Sequence, residues 1–280
     1  MATTAATLVQ RVRRYVGDWP DLDSISASLA SSGTSVTIGS GGASRYSANW
    51  YIQVDQEIMR VKSVADTSLT VVRASQGSTA ASHTSGATVL IRPQFTDLAI
   101  LDALNAGIDA TFPSFYKSVL DTSLTTDGSS YEYDVPAGLT WLSGLETQES
   151  GSPYFYRLDA WRVKRGATPI IQFATPPIQG TLRCYGFGPF PNFTAVTDTL
   201  DAQWPAWDNG DLPVLYASSQ CLMMAEAVRV RADAGPQDDS QAPPRQGVIS
   251  ATANMLLQRF QLRLAAQPMP SLPRHIVRVM

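Results

Sequence analysis

Two long stretches of this chain alternate short apolar runs with glycine- and serine-rich turns, and this pattern restricts the folds open to it. The first stretch covers residues 24–93 and contains five runs rich in Val, Ile and Tyr: SVTI, WYIQV, EIMRVKSV, LTVVRA and ATVLI. Runs of this kind, bounded by turn residues, are typical of β-strands. Five of them in so short a segment predict a small antiparallel barrel or sandwich.

A second β module is predicted at residues 121–204. Its apolar runs are SYEYDV, TWLSGLETQ, YFYRLDAWRVKRG, PIIQFA and GTLRCYGF. The dipeptides Arg165-Gly166 and Gln179-Gly180 stand where hairpin turns are expected.

Four segments have helical spacing of apolar residues and flank these modules: 3–16, 95–116, 212–234 and 248–266. We therefore expect an α+β fold with a four-helix-type core formed by residues 1–20, 94–120 and 205–267. The two antiparallel β modules would be inserted in its loops, where insertions are tolerated best. Residues 268–280 contain three prolines and predict an extended C-terminal arm.

The last helix and the arm are the strongest candidates for contact with other chains. The helix carries apolar residues on more than one side, which predicts a subunit interface at Met255, Leu257, Phe260, Leu262 and Leu264. The arm alternates apolar and basic residues, which favours docking by strand addition or in a groove over a frayed terminus. The predicted docking residues are Leu272, Pro273, Arg274, His275, Ile276, Val277, Arg278 and Val279.

Composition limits the remaining function classes. Charged residues make up 16% of the 280, a low share that suits either a surface covered by neighbouring subunits or a Ser/Thr/Ala-rich globular protein. The net charge of -3 argues against bulk binding of nucleic acid. No signal peptide or transmembrane run is recognised, so we expect a protein made in a cytoplasm, with no membrane partner.

No catalytic, cofactor or metal site is expected. His83 would have to serve any Ser-His-Asp triad, yet the chain has no G-x-S-x-G motif. The loops at Asp208–Asp211 and Asp238-Asp239 lack the spacing of a calcium hand loop, and Asp211 is better explained as a helix N-cap. Cys184 and Cys221 are expected to be buried free thiols.

The segment from Val54 to Val89 resembles a stretch that recurs in structural proteins of tailed bacteriophages. Its pieces are D-x-E-x-M-x-V from Asp55 to Val61, L-T-V-x-R from Leu69 to Arg73, and Q-G-S-T-A-A-S-H-T-S-G-A from Gln76 to Ala87. This chain has Ala74 where the usual form has glycine after the arginine.

The order of helices around this module is similar to that of the head-to-tail adaptor, or connector, proteins of tailed phages. The resemblance implies a four-helix-type adaptor core and a ring, commonly of twelve copies, on the tail-side face of the portal. It also implies a virion protein, assembled in the host cytoplasm, that extends the DNA channel and docks tail or nozzle proteins. The C-terminal arm is then the expected portal contact.

Three basic residues of the first helix, Arg11, Arg13 and Arg14, are candidates to face DNA passing through such a ring. A solvated helix face or salt bridges between subunits are the alternatives. Two other functions stay open for the whole chain: a tail-tube, collar or head-decoration component, and a hydrolase carried in the virion.

Overall fold

The computed structural model describes residues 3–39, 42–233, 247–266 and 277–278. The chain divides into two compact units. The first comprises residues 1–107, 193–200 and 210–261, and the second comprises residues 108–192, 201–209 and 262–280.

A six-stranded antiparallel sheet forms the β region of the first unit. Its strands are β1 (Asp21–Ser24), β2 (Ser35–Thr37), β3 (Tyr51–Val54), β4 (Glu57–Ala65), β5 (Ser68–Val72) and β6 (Thr88–Ile91). They lie in the order β1-β6-β3-β4-β5-β2. Alternate residues point into one cluster of buried side chains, in which Ile52, Met59, Val61 and Leu69 are fully buried.

Helices complete the first unit. They are α1 (Ala5–Val16), α2 (Asp97–Thr111), α3 (Asp211–Asp233) and α4 (Val248–Ala265). The Thr4 hydroxyl accepts a hydrogen bond from the Thr7 amide and caps α1. α1 lies against α3, and α4 contacts α3 through an edge-to-face pair of Tyr216 and Phe260, with ring centroids 5.3 Å apart.

Two further sheets build the second unit. The strands are β7 (Lys117–Thr126), β8 (Glu132–Asp134), β9 (Trp141–Glu149), β10 (Phe155–Leu158), β11 (Trp161–Lys164), β12 (Ile170–Phe173), β13 (Gly180–Gly188) and β14 (Val277–Arg278). One sheet has the order β10-β9-β13-β7, with β14 also paired to β9, and the other has the order β11-β12-β8. Leu142, Leu145, Ile171, Leu182 and Cys184 form the buried centre of this unit.

The prediction of a four-helix-type adaptor core is wrong. The described part of the chain is mostly antiparallel sheet, with fourteen strands in three sheets and four α-helices. The two hydrophobic clusters are built chiefly by strands and the loops between them. Buried apolar side chains come from both strands and helices, so the fold is not stabilised by a helical core alone.

The helix starts and the strands of the first stretch agree with the sequence patterns, whereas β1 and β7 are not predicted by any apolar run. Each of the five apolar runs in the first stretch contains a strand, and each of the four helices lies within about two residues of its predicted start. No helix in the described residues is both long and apolar enough to cross a lipid bilayer.

Candidate functional site

The motif residues Asp55, Glu57, Arg73 and His83 meet in the first unit, and we call these four side chains the motif cluster. Asp55 occupies the tight turn between β3 and β4, with φ of 52°, and Glu57 begins β4. Arg73 directly follows β5, and His83 lies in the loop before β6. The sheet order places β4 between β3 and β5, which brings these distant positions together.

Glu57 and Arg73 form the centre of the cluster. The Arg73 Nε and Nη2 atoms each donate to a Glu57 carboxylate oxygen at 2.6 Å, and both side chains are buried. The backbone amides of Ala74 and Ala81 donate to the same carboxylate, at 3.1 and 3.0 Å. A bidentate pair of this geometry, with every carboxylate oxygen bonded, offsets the cost of burying its charges.

Arg73 also binds the surrounding loops. Its Nη1 atom donates to the carbonyl oxygens of Ala30 and Gly33, at 2.8 and 2.6 Å, and its Nη2 atom donates to the Ala81 carbonyl. One side chain therefore joins the loop after β1, the end of β5 and the loop before β6. Its hydrogen bonds to three carbonyl oxygens add polar cross-links to loops whose apolar residues, such as Leu29, pack into the sheet's hydrophobic cluster.

His83 lies between two carboxylates. Its Nδ1 atom is 2.7 Å from Asp55 Oδ2, and its Nε2 atom is 2.9 Å from Glu57 Oε2. The backbone of His83 also exchanges two hydrogen bonds with Leu29, at 2.8 and 2.9 Å.

The electrostatics of the cluster follow from these contacts. Burial alone would raise the pKa of Glu57, but hydrogen bonds from Arg73, the Ala81 amide, His83 and the Ala74 amide lower it to about 2. Glu57 is therefore ionised at any physiological pH. The Asp55 side chain, in contrast to that of Glu57, is more than half exposed to solvent.

The backbone at Ala74 has the left-handed conformation, with φ of 51° and ψ of 41°. Glycine adopts this conformation without strain, whereas a Cβ atom makes it unfavourable. The left-handed backbone at position 74 explains why the usual motif has glycine there. This chain keeps the turn in spite of Ala74, and the Ala74 amide still donates to Glu57.

A groove of about 350 Å³ lies beside the cluster, lined by polar and small residues that include Asp55, Ser78, Ser82 and His83. Both ring nitrogens of His83 face carboxylates, so neither is placed to take a proton from a serine hydroxyl. The described residues contain no group of three or more His, Cys, Asp or Glu side chains arranged to hold a metal ion. The contacts of the cluster cross-link loops.

A second buried network surrounds Arg13, one of the candidates to face DNA. Its side chain is only 2% exposed and forms ion pairs with Asp18 and Asp97, and its Nη2 atom donates to the Phe95 carbonyl. Gln53 completes the network by donating to Asp97 Oδ2 at 2.7 Å and accepting from the Asp97 amide at 2.9 Å. Arg13 therefore joins α1, β3 and the start of α2, and its guanidinium is not available to DNA.

The other two basic residues of α1 are less buried than Arg13. Arg11 is paired with Asp211, the first residue of α3, and Arg14 is exposed. Asp211, which the sequence suggested as the residue before the helix, is the first residue of α3 and forms an ion pair with Arg11. The sequence pattern could not show the role of Arg13, because Asp97 lies 84 residues away along the chain.

The five predicted interface residues of α4 have different surroundings. Met255 and Leu262 are 59% and 72% exposed, and they lie two turns apart on one side of the helix. Phe260 is buried against Tyr216, while Leu257 and Leu264 are partly buried. The exposed pair is available to another chain, and Phe260 serves the fold.

Of the predicted arm, only residues 277–278 lie within the described residues. Val277 and Arg278 pair antiparallel with Leu142 and Trp141 of β9. The other predicted docking residues, Leu272, Pro273, Arg274, His275, Ile276 and Val279, lie outside the described residues, as does the Asp238-Asp239 pair.

The remaining candidates have structural partners. Asp208 is buried, accepts a hydrogen bond from the Trp204 indole at 3.0 Å and lies 3.7 Å from Arg263. Cys184 and Cys221 are buried free thiols, as expected, and burial raises the pKa of each to about 12.

Comparison with known proteins adds no relative. Neither a scan against protein-family models nor a search of curated proteins finds a match to this chain.

Proposed function

We propose that this chain is a structural subunit of a tailed-phage particle. Its role is that of a head-to-tail adaptor, which forms a ring beneath the portal, extends the DNA channel and docks tail or nozzle proteins. Twelve copies are expected from the resemblance to connector proteins. The protein would reside at the head–tail interface of the virion after assembly in the host cytoplasm.

The motif cluster is the observation that carries this proposal. Its four residues belong to the motif that resembles phage structural proteins, and all four are used to fix loops. A β module fixed by buried charge pairs suits a particle that bears mechanical load. The contacts of Glu57 and Arg73 are made with backbone amides, carbonyl oxygens, His83 and each other, which favours an architectural role for the motif.

The exposed side of α4 supports self-association. Met255 and Leu262 present large apolar side chains to solvent, which is unfavourable unless another surface covers them. A neighbouring copy in a ring would supply that cover.

Electron microscopy of the chain mixed with the purified portal of the same phage tests the proposal. We expect added density on the tail-side face of the portal ring, with the portal's rotational symmetry. The double variant Met255→Gln, Leu262→Gln should remain folded and give weak or incomplete rings. Absence of any density on the portal, with the wild-type chain in excess, would rule the adaptor role out.

A tail-tube, collar or decoration component is the second candidate, and the mainly antiparallel fold favours it. Such a component does not need the predicted helical core, which this chain lacks in the residues described above. It would assemble on the tail or the capsid surface without binding the portal. The same micrographs, taken with capsids and with tails, separate the two candidates.

A further inference from the structure

We propose that the outer edge of β9 at Trp141 and Leu142 is a reversible docking site for the chain's own C-terminal strand, so that this strand is withheld from other partners while it is bound there. The surface is a sheet edge, and its occupant is β14. Release of β14 on portal binding rests on the proposed function, whereas the docking site itself does not.

The outer edge of β9 is divided between two strands. β13 pairs along the inner side of β9 from Trp141 to Glu149. On the outer side, β10 pairs only with residues 145–148, and β14 pairs only with residues 141–142. Without β14, the backbone groups at this end of β9 would lack a strand partner, and such an edge is a template for strand addition.

The edge is held rigidly from both faces of the sheet. Leu142 is fully buried in the hydrophobic cluster of the second unit. Trp141 points to the other face, where its ring stacks on Phe112 at 5.0 Å and meets the edge of Tyr116 at 5.9 Å. A backbone fixed in this way is preorganised for a strand and loses little conformational entropy when one binds.

The occupant is bound by a short contact. β14 has two residues, and its pairing with β9 is confined to Val277 opposite Leu142 and Arg278 opposite Trp141. Each backbone hydrogen bond adds only a small net stability, because water competes for the same groups. So short a strand can leave and rebind, unlike β10, which is tied to β9 by a hairpin connection.

This geometry makes two uses of one edge of β14 mutually exclusive. Strand addition through the edge that faces β9 needs the backbone groups that β9 already binds. If the portal binds that edge, the strand must leave β9 first. The free chain would then carry its docking strand in a protected position and expose it only at assembly.

Hydrogen exchange of the full-length chain, measured by mass spectrometry, tests the docking site without any partner. Val277→Pro weakens the pairing of β14 and should raise exchange by about tenfold within residues 141–142, at the amide that faces β14 and not at the one that faces β13. Exchange in residues 145–148, which β10 covers, should not change. Met280→Pro is the matched control, because the same substitution then falls beyond the two paired residues.

A synthetic peptide with the sequence of residues 272–280 completes the test. Added to the Val277→Pro chain, it should restore protection within residues 141–142, whereas a scrambled peptide should not. Equal exchange in wild type and Val277→Pro, or a peptide without effect, would overturn the docking site. With portal rings added to the wild-type chain, exchange within these two residues should rise. A chain that does not bind portal leaves the docking result intact and refutes the proposed function instead.

Discussion

The Arg73 guanidinium binds the Glu57 carboxylate through two contacts of 2.6 Å, and neither side chain has appreciable contact with solvent. The pair joins the end of β5 to the start of β4 and fixes two loops through the Ala74 and Ala81 amides. The pair thereby cross-links one β module through two residues of the motif.

Replacement of Glu57 by Gln should destabilise the chain strongly. The neutral amide would leave the Arg73 charge buried without a counter-ion, a change that typically costs about 3–5 kcal/mol. Asp55→Asn is the matched control, since Asp55 is 59% exposed and its loss should cost less than about 1 kcal/mol. Urea denaturation followed by tryptophan fluorescence gives both free energies of unfolding. Equal losses for the two variants would show that burial of the pair has no special importance.

Stability should fall in acid because of the same carboxyl. The pKa of Glu57 is about 2 in the folded chain, below its ordinary value of 4.5, so the unfolded chain binds the proton more readily. The stabilisation is fully present above about pH 4.5 and is lost as the pH falls toward 2. Thermal unfolding at a series of pH values should show this loss in wild type and a flatter profile in Glu57→Gln. Parallel profiles would assign the acid sensitivity to other groups.

The sequence predicts where helices and strands lie better than it predicts how they pack together. The Val-, Ile- and Tyr-rich runs locate β2 to β6, because alternation is a local property. β1 gives no such signal because its sequence, DLDS, is polar and short, and β7 gives none because KSVLDTSLTT has few apolar residues among polar ones and no long apolar run. Four apolar segments predict a helical core, but which surfaces bury them depends on contacts far apart in the chain.

The motif cluster illustrates the same limit. The resemblance singles out Asp55, Glu57, Arg73 and His83 as members of one pattern, but the sequence does not show that they touch. The Arg13 network gives no signal at all, since an arginine beside Arg14 on a helix is ordinarily solvated. From sequence, its partner Asp97 is only a favourable charge at the start of a helix.

Arg13→Gln should lower the free energy of unfolding strongly, whereas Arg14→Gln should leave it almost unchanged. Arg13 is buried and paired with Asp18 and Asp97, so its loss leaves two carboxylates without their cation and should cost about 3–5 kcal/mol. Arg14 is exposed, and its loss should change the free energy of unfolding by less than about 0.5 kcal/mol. Chemical denaturation of both variants measures the two free energies of unfolding. A stable Arg13→Gln chain would contradict the structural role given to this residue.

Ala74→Gly should stabilise the chain. The left-handed conformation at Ala74 costs an L-residue roughly 1–2 kcal/mol, and glycine removes that strain while increasing the entropy of the unfolded chain. The expected net gain is up to about 1 kcal/mol. Ala106→Gly, on the exposed side of α2, is the matched control and should cost about 1 kcal/mol. A lower melting temperature for both variants would contradict the strain at Ala74.

Gly107→Ala should destabilise the first unit although alanine is the better helix former. A Cβ atom at this position of α2 would lie 2.9 Å from the Cα atom of Pro213 and 3.0 Å from its carbonyl oxygen, in α3. Backbone cannot move aside cheaply, so overpacking of about 1–3 kcal/mol should exceed the propensity gain of about 1 kcal/mol. Thermal unfolding decides the sign. A more stable variant would mean that α2 and α3 are not in close contact.

The adaptor role depends on association with a portal, and sedimentation velocity of the wild-type chain with purified portal rings measures this most directly. We expect the chain to sediment with the portal as a complex of fixed stoichiometry, one copy per portal subunit. The Met255→Gln, Leu262→Gln variant should form that complex less completely, because those exposed side chains would face the neighbouring copy. A wild-type chain that sediments as a monomer beside unaltered portal rings would contradict the proposed adaptor role.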